Sequence, residues 1–157
     1  MTVTDRRQPT KRRQPTKRRQ NSHHGTRRMV HRVARPLLAS MFIAGGVDSL
    51  RDSEGKVKKA EVVVAPLTRW VSALPKDTEA FVRANGALQI GAGVLLALGR
   101  ARRLAALALL GSLLPTTYAG HRFWEEADDQ ARARQRVHFL KNLGLMGGLL
   151  FAATDRE

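Results

Sequence analysis

The chain has 157 residues, no cysteine and a net charge of +15, and its length is that of one domain. The missing cysteines exclude disulfides, thiol catalysis and thiolate metal sites. The charge is uneven: residues 1–36 hold twelve Lys/Arg against one acid, and residues 37–157 hold sixteen against twelve, giving balances of +11 and +4. The mean hydropathy of −0.32 therefore averages a polar tail with strongly apolar runs.

Residues 1–29 read as a disordered basic tail. A direct repeat, RRQPTK, occupies Arg6–Lys11 and again Arg12–Lys17. Prolines at 9 and 15 and the scarcity of apolar side chains leave nothing to bury. Such a charge run attracts anionic lipid headgroups or nucleic-acid phosphates. No aromatic residue interleaves the basic ones, so base stacking is unsupported. The favoured reading is a topogenic tail kept on the cytoplasmic side, in contact with anionic lipids. Arg6-Arg7 is not a twin-arginine signal, because no apolar run follows it closely. Met29–Pro36 reads as a natural start for the first helix, and translation from Met29 is expected to leave the membrane domain whole.

That membrane domain is expected over residues 30–157. The first span, about 30–50, contains the apolar run Pro36–Val47, with Arg32 and Arg35 snorkelling to the headgroups. Gly45-Gly46 offers a close-packing face. Residues 51–78 are too polar to span. There, Val62–Ala65 and Leu67–Leu74, with Trp70, read equally well as a short amphipathic piece on the membrane surface or as a plain loop.

The second span, about 80–98, has a readable start: Asp77 or Thr78 can cap it and Glu79 suits the positive end of the helix dipole. It ends at Gly99. Gly86, Gly91 and Gly93 are expected at close helix contacts. The third span, about 103–120, contains Pro115, and the Thr116 and Thr117 hydroxyls can satisfy carbonyls released by the proline. A polar connector, His121–Arg136, follows as a helical extension or amphipathic link. The fourth span, about 137–153, adds Gly144, Gly147 and Gly148 as a packing face.

Apolar runs without an amphipathic stripe must be buried all round or lie in lipid, and 157 residues cannot bury several of them in water. The expected fold is therefore all-α, a transmembrane four-helix bundle with a disordered basic tail. Both termini and Arg100, Arg102 and Arg103 fall on the cytoplasmic side of the plasma membrane by the positive-inside rule.

Gln89–Leu107, QIGAGVLLALGRARRLAAL, resembles the second and third helices of the DoxX family: an apolar glycine-rich helix, a turn of glycine and arginine, then Leu-Ala-Ala. Arg35–Val47 resembles its first helix. His121 with Phe123-Trp124, and His138–Leu143, resemble later segments of an actinobacterial branch. The resemblance covers roughly residues 30–153 and excludes the tail. Gln89 stands where many members carry glutamate, which removes any proton-handling carboxylate there. The resemblance implies a small membrane component that anchors or assembles an oxidoreductase or oxidative-stress complex. Alternatively, it implies a quinone-binding subunit of the thiosulfate–quinone type.

Candidate chemistry rests on polar residues in or beside the spans, which are costly in lipid and face the bundle interior by default. Gln89 is the most deeply placed. Asn85, His121, His138 and Asn142, with Arg83 and Lys141 nearby, are expected to share the outer end of the bundle, and with Gln89 they are candidates to line a pocket for a quinone headgroup. The favoured reading of these residues is simple interhelical hydrogen bonding and snorkelling. His121 and Glu125 have a spacing of four residues, but no second histidine lies close enough to make a metal motif. His23-His24 falls in the tail and is no site.

Overall fold

A computed structural model describes residues 17–71, 75 and 77–155, with only the backbone of 17–28 and of Trp70. The tail repeat up to Thr16, the side chains of His23 and His24, residues 72–74 and the Trp70 ring lie outside the described residues. The chain divides into two units, residues 1–31 and 32–157. In the first unit the described residues are helical.

All regular structure among the described residues is helical: α1 (Lys17–Arg51), α2 (Glu54–Trp70), α3 (Thr78–Ala97), α4 (Arg102–Gly120) and α5 (Asp129–Thr154), with a short 3-10 turn at Phe123–Glu125. Among the described residues, three helices are long and apolar enough to cross a membrane, at Met29–Arg51, Thr78–Ala97 and Asp129–Thr154. α4 is outside that set; Arg102, Arg103 and the Pro115-Thr116-Thr117 step dilute its apolar run.

Three boundaries differ from those read in the sequence. α1 begins at Lys17 rather than near Val30, because no proline or capping signal stops helix propagation between Lys17 and Arg35. α5 begins at Asp129 rather than Val137. Asp128 caps it, its carboxylate accepting from the Ala131 amide at 2.7 Å, so the helical extension captures half of the polar connector. The largest difference is α2. Residues 51–78 are not a loop: 17 of them form a helix, although Pro66 lies inside it. Tertiary contact explains the difference. Val63 and Val64 are buried, and α2 packs on both α3 and α4. Ser53 at its start donates to Glu79 at 3.2 Å, and Lys56 donates to Ser49 of α1 at 3.1 Å.

The α3 boundaries follow local rules. The Asp77 carboxylate accepts from the Ala80 amide at 2.8 Å. At the other end, Gly99 adopts φ +70°. The Gly99 amide bonds Leu96 and the Arg100 amide bonds Leu95, which closes a Schellman turn that needs glycine at the left-handed position. Ala101 then takes φ 45° before α4 begins, a mildly strained step for a residue with a Cβ.

α1 and α3 run antiparallel and almost touch. A Cβ placed on Gly46 would stand 2.6 Å from the Gly86 carbonyl oxygen, and one on Gly93 would stand 2.8 Å from Ile43. Gly148 of α5 faces Leu38 at an ordinary 3.4 Å. Of the other glycines expected at contacts, Gly91, Gly144 and Gly147 face open space. Glycine content marks a helix that can pack closely, but it does not say which face does so. The core joins Ala39 and Phe42 of α1, Ala92 and Leu96 of α3, Leu109 and Leu113 of α4, and Leu149 of α5. Outside it, large apolar side chains stay exposed, including Leu104 and Phe151 at 72% each. Only 11% of the α5 span window is buried. Exposure on this scale suits a lipid environment and no aqueous one.

The Gly46–Gly86 crossing gives a contrast. Gly46→Ala is expected to destabilise the protein by about 1–3 kcal/mol, since its Cβ meets backbone that cannot yield. Gly144→Ala, in open space, should be neutral or gain about 0.5–1 kcal/mol from helix propensity. Thermal midpoints in one detergent check both, and a parental midpoint for Gly46→Ala would refute the crossing.

Candidate functional site

The helices do not fill the space between them. A cavity of about 330 Å³ lies between α1, α3, α4 and α5, with α2 along one side. It is near the ends that carry Ser49, Asn85, Gly120 and His121. The opposite ends of the helices meet where Arg35 approaches Gly99.

Four of the five expected site residues line the cavity: Gln89, Asn85, His121 and Asn142. Each is delivered by a different local device. Gln89 sits in mid-helix on α3 and is 8% exposed. Its amide donates to Ser112 Oγ of α4 at 2.9 Å. Asn142 of α5 is 7% exposed. It donates to Thr117 Oγ1 at 3.0 Å. Asn85 lies one turn before Gln89, so a helical period places both on one face. His121 is the residue at which α4 ends.

His138 does not line the cavity. Its ring stacks on that of His121 at 5.2 Å between centroids, on the exposed side. Arg83 pairs with Glu79 on the surface at 3.1 Å, and neither it nor Lys141 reaches the lining. Thr116 bonds the Ser112 carbonyl at 3.0 Å rather than that of Gly111, which Pro115 releases, and Thr117 turns across to Asn142. Glu125 pairs with Arg122 at 2.9 Å, away from any shared arrangement with His121.

Sequence reading missed the contribution of α2. Lys56, Lys59, Ala60 and Val63 line the cavity, with Ser49 of α1 beside them. The signal was the run Val62–Val64 with Lys56, Lys58 and Lys59 one turn or more before it, which is amphipathic only once helical. The walls are otherwise apolar, from Val63, Phe81, Val82, Pro115 and Ala119. Every buried side-chain N and O among the described residues has a hydrogen-bond partner.

His121 is electrostatically set. Nδ1 lies 2.8 Å from Gln135 Oε1; with that oxygen as the acceptor, the ring donates from Nδ1 and Nε2 keeps a lone pair. Partial burial pushes its pKa below the ordinary 6.5. The Gln135 bond opposes that shift, and the charges of His138, Lys141 and Lys59 reinforce it. His121 is thus held neutral near pH 7.

The sequence matches the DoxX family over residues 31–122, more than half of the chain. The chain belongs to the DoxX family. With its exposed apolar helices, it is a DoxX membrane protein in a lipid environment. The matched region contains Gln89, Asn85 and His121 and ends before His138 and Asn142, so the resemblance of later segments lies beyond it. No curated protein and no solved structure matches the chain significantly.

The depressed His121 pKa has a consequence for stability. The unfolded histidine protonates near 6.5, above the folded one. Stability from the neutral ring is complete above that pH and is lost as pH falls through the folded pKa. The thermal midpoint in detergent should therefore drop more between pH 7.5 and 5.5 for the parent than for His121→Phe, which keeps an aromatic ring against His138. Equal drops would contradict this assignment.

Proposed function

We propose that this DoxX protein is a membrane subunit of an oxidoreductase system and that its cavity receives a quinone headgroup. The observation that carries the reading is the convergence of Gln89, Asn85, His121 and Asn142 on one largely apolar cavity. Ligand sites commonly combine apolar walls with a few placed polar groups in volumes from about 300 Å³ upward. Each amide has N–H groups to spare after its interhelical bond, so donors remain for quinone carbonyls. Neutral His121 offers Nε2 as an acceptor for a quinol hydroxyl. The bound quinone would supply the electron chemistry; the chain's own residues hold and orient it.

In this reading α1, α3, α4 and α5 span the membrane, and α2 lies along the outer interface. Arg32, Arg35, Arg100, Arg102 and Arg103 gather at the opposite end, which the positive-inside rule makes cytoplasmic, together with both termini. The basic tail adds contact with anionic lipids.

A second reading, that of an anchoring or assembly subunit without a ligand, draws on a specific observation. Gln89–Ser112 and Asn142–Thr117 already clasp neighbouring helices and would be useful for packing alone. Organic extraction of the purified full chain separates the two. The ligand reading expects about one quinone per chain in parental protein and a clear loss in Asn85→Leu, which breaks no interhelical bond described above. Quinone-free protein, still copurifying with an oxidoreductase after mild crosslinking, would leave assembly as the function.

A further inference from the structure

The cavity is polar in two different ways at its two ends. The inner end carries the buried amides of Gln89 and Asn142. The outer end carries cations, Lys56 and Lys59 of α2, beside His121. Lys56 is half-buried, Lys59 is exposed, and His121 is half-buried, so the charge lies at the mouth and the amides at the bottom. No aspartate or glutamate lines the cavity. Lys56 is bonded to the neutral Ser49 hydroxyl at 3.1 Å, and among the described residues no carboxylate pairs with either lysine.

This arrangement is unusual for α2. Glu54 and Glu61 stand on the same helix, yet both are exposed and neither lines the cavity. The spacing explains the separation. Lys56, Lys59, Ala60 and Val63 recur at intervals of three and four residues, which is one helical face. That face combines two cations with an apolar continuation at Val63, opposite Phe81 and Val82 of α3. A quinone is neutral and needs no cation at the entrance. A cationic mouth above an apolar wall fits a ligand with a negative head and an acyl chain.

We infer that the mouth of the cavity, at Lys56 and Lys59 beside His121, is a binding site for an anionic amphiphile, whose carboxylate or phosphate is held by the lysines while its acyl chain lies along Val63, Phe81 and Val82. The inference uses the same cavity as the quinone proposal and shares His121 with it, but its anion-holding groups, Lys56 and Lys59, have no part in that proposal. Anionic phospholipid of the bilayer and free fatty acid share this head chemistry.

Native mass spectrometry of the delipidated full chain in a neutral detergent tests it, with dioleoyl phosphatidylglycerol, palmitate and dioleoyl phosphatidylcholine as probes. One phosphatidylglycerol or one palmitate should be retained per chain at concentrations where phosphatidylcholine is not. Retention of phosphatidylglycerol alone assigns the site to bilayer lipid, and retention of palmitate alone assigns it to free fatty acid. Lys59→Gln, at an exposed position, should weaken the retained anion about fivefold, and Lys56→Gln with Lys59→Gln by tenfold or more, at about 1 kcal/mol per lysine. Lys59→Arg should restore binding. Asn85→Leu, which leaves both lysines in place, should keep the anion while losing quinone, so quinone-free protein that still retains the anion would fault only the quinone proposal. Equal retention of phosphatidylcholine, or anion binding unaffected by the double substitution, would overturn the inference.

Discussion

A polar side chain inside an apolar bundle must find a partner within the protein, because lipid offers none. This constraint fixes α4 at the centre of the arrangement. Gln89 reaches it from α3 through Ser112, and Asn142 reaches it from α5 through Thr117. The two bonds lie at different depths and on different sides of α4, so together they set both its rotation and its height. Leu109 and Leu113, buried on the same helix, add apolar contact to the core. Each bond is worth little in isolation, about 0.6 kcal/mol. Their value is in register, since sliding either neighbour would leave an amide unpaired.

Close approach of α1 and α3 at Gly46 and Gly86 has the opposite effect on space. It draws two backbones together at one level. Beside that crossing, side chains from five helices do not close the gap, and a cavity remains under α2. α2 is held over it by side-chain tethers, Lys56 to Ser49 and Ser53 to Glu79, and by the burial of Val63 and Val64. The aromatic group of Tyr118, Phe123, Trp124 and Phe139, packed largely edge to face, braces the turn into α5 and thereby holds His121 in place.

Where local chemistry decides, the sequence was readable. Asp77 as a cap and Gly99 as a stop require nothing beyond neighbouring residues, and both stand as expected. The polar residues Gln89, Asn85, His121 and Asn142 were legible as a set because such groups are rare in apolar helices and turn inward. Family membership was legible from Gln89–Leu107, an apolar glycine-rich helix followed by a basic turn, which lies inside the matched region. α2 was not legible. Its apolar residues Val62–Val64 are consecutive, its ends are charged and Pro66 lies within it, so helix formation depends on contacts with α3 and α4 that no local pattern announces. The lysines of the cavity mouth were hidden with it. Gly91, Gly144 and Gly147 were misplaced because a glycine has no side chain whose polarity could indicate a face.

The account rests on the cavity being a ligand site that opens beside α2. The absence of cysteine makes a direct measurement simple, because a single introduced thiol is the only one in the chain. Ala60 lines the cavity from α2 and takes part in none of the hydrogen bonds described above. The labelling rate of Ala60→Cys by a water-soluble maleimide, in reconstituted protein, should fall severalfold when a short-chain quinone is added, while a cysteine at exposed Leu98, at the other end of α3, should show no quinone-dependent change. An Ala60→Cys rate unaffected by saturating quinone would contradict the central claim that the cavity receives a quinone.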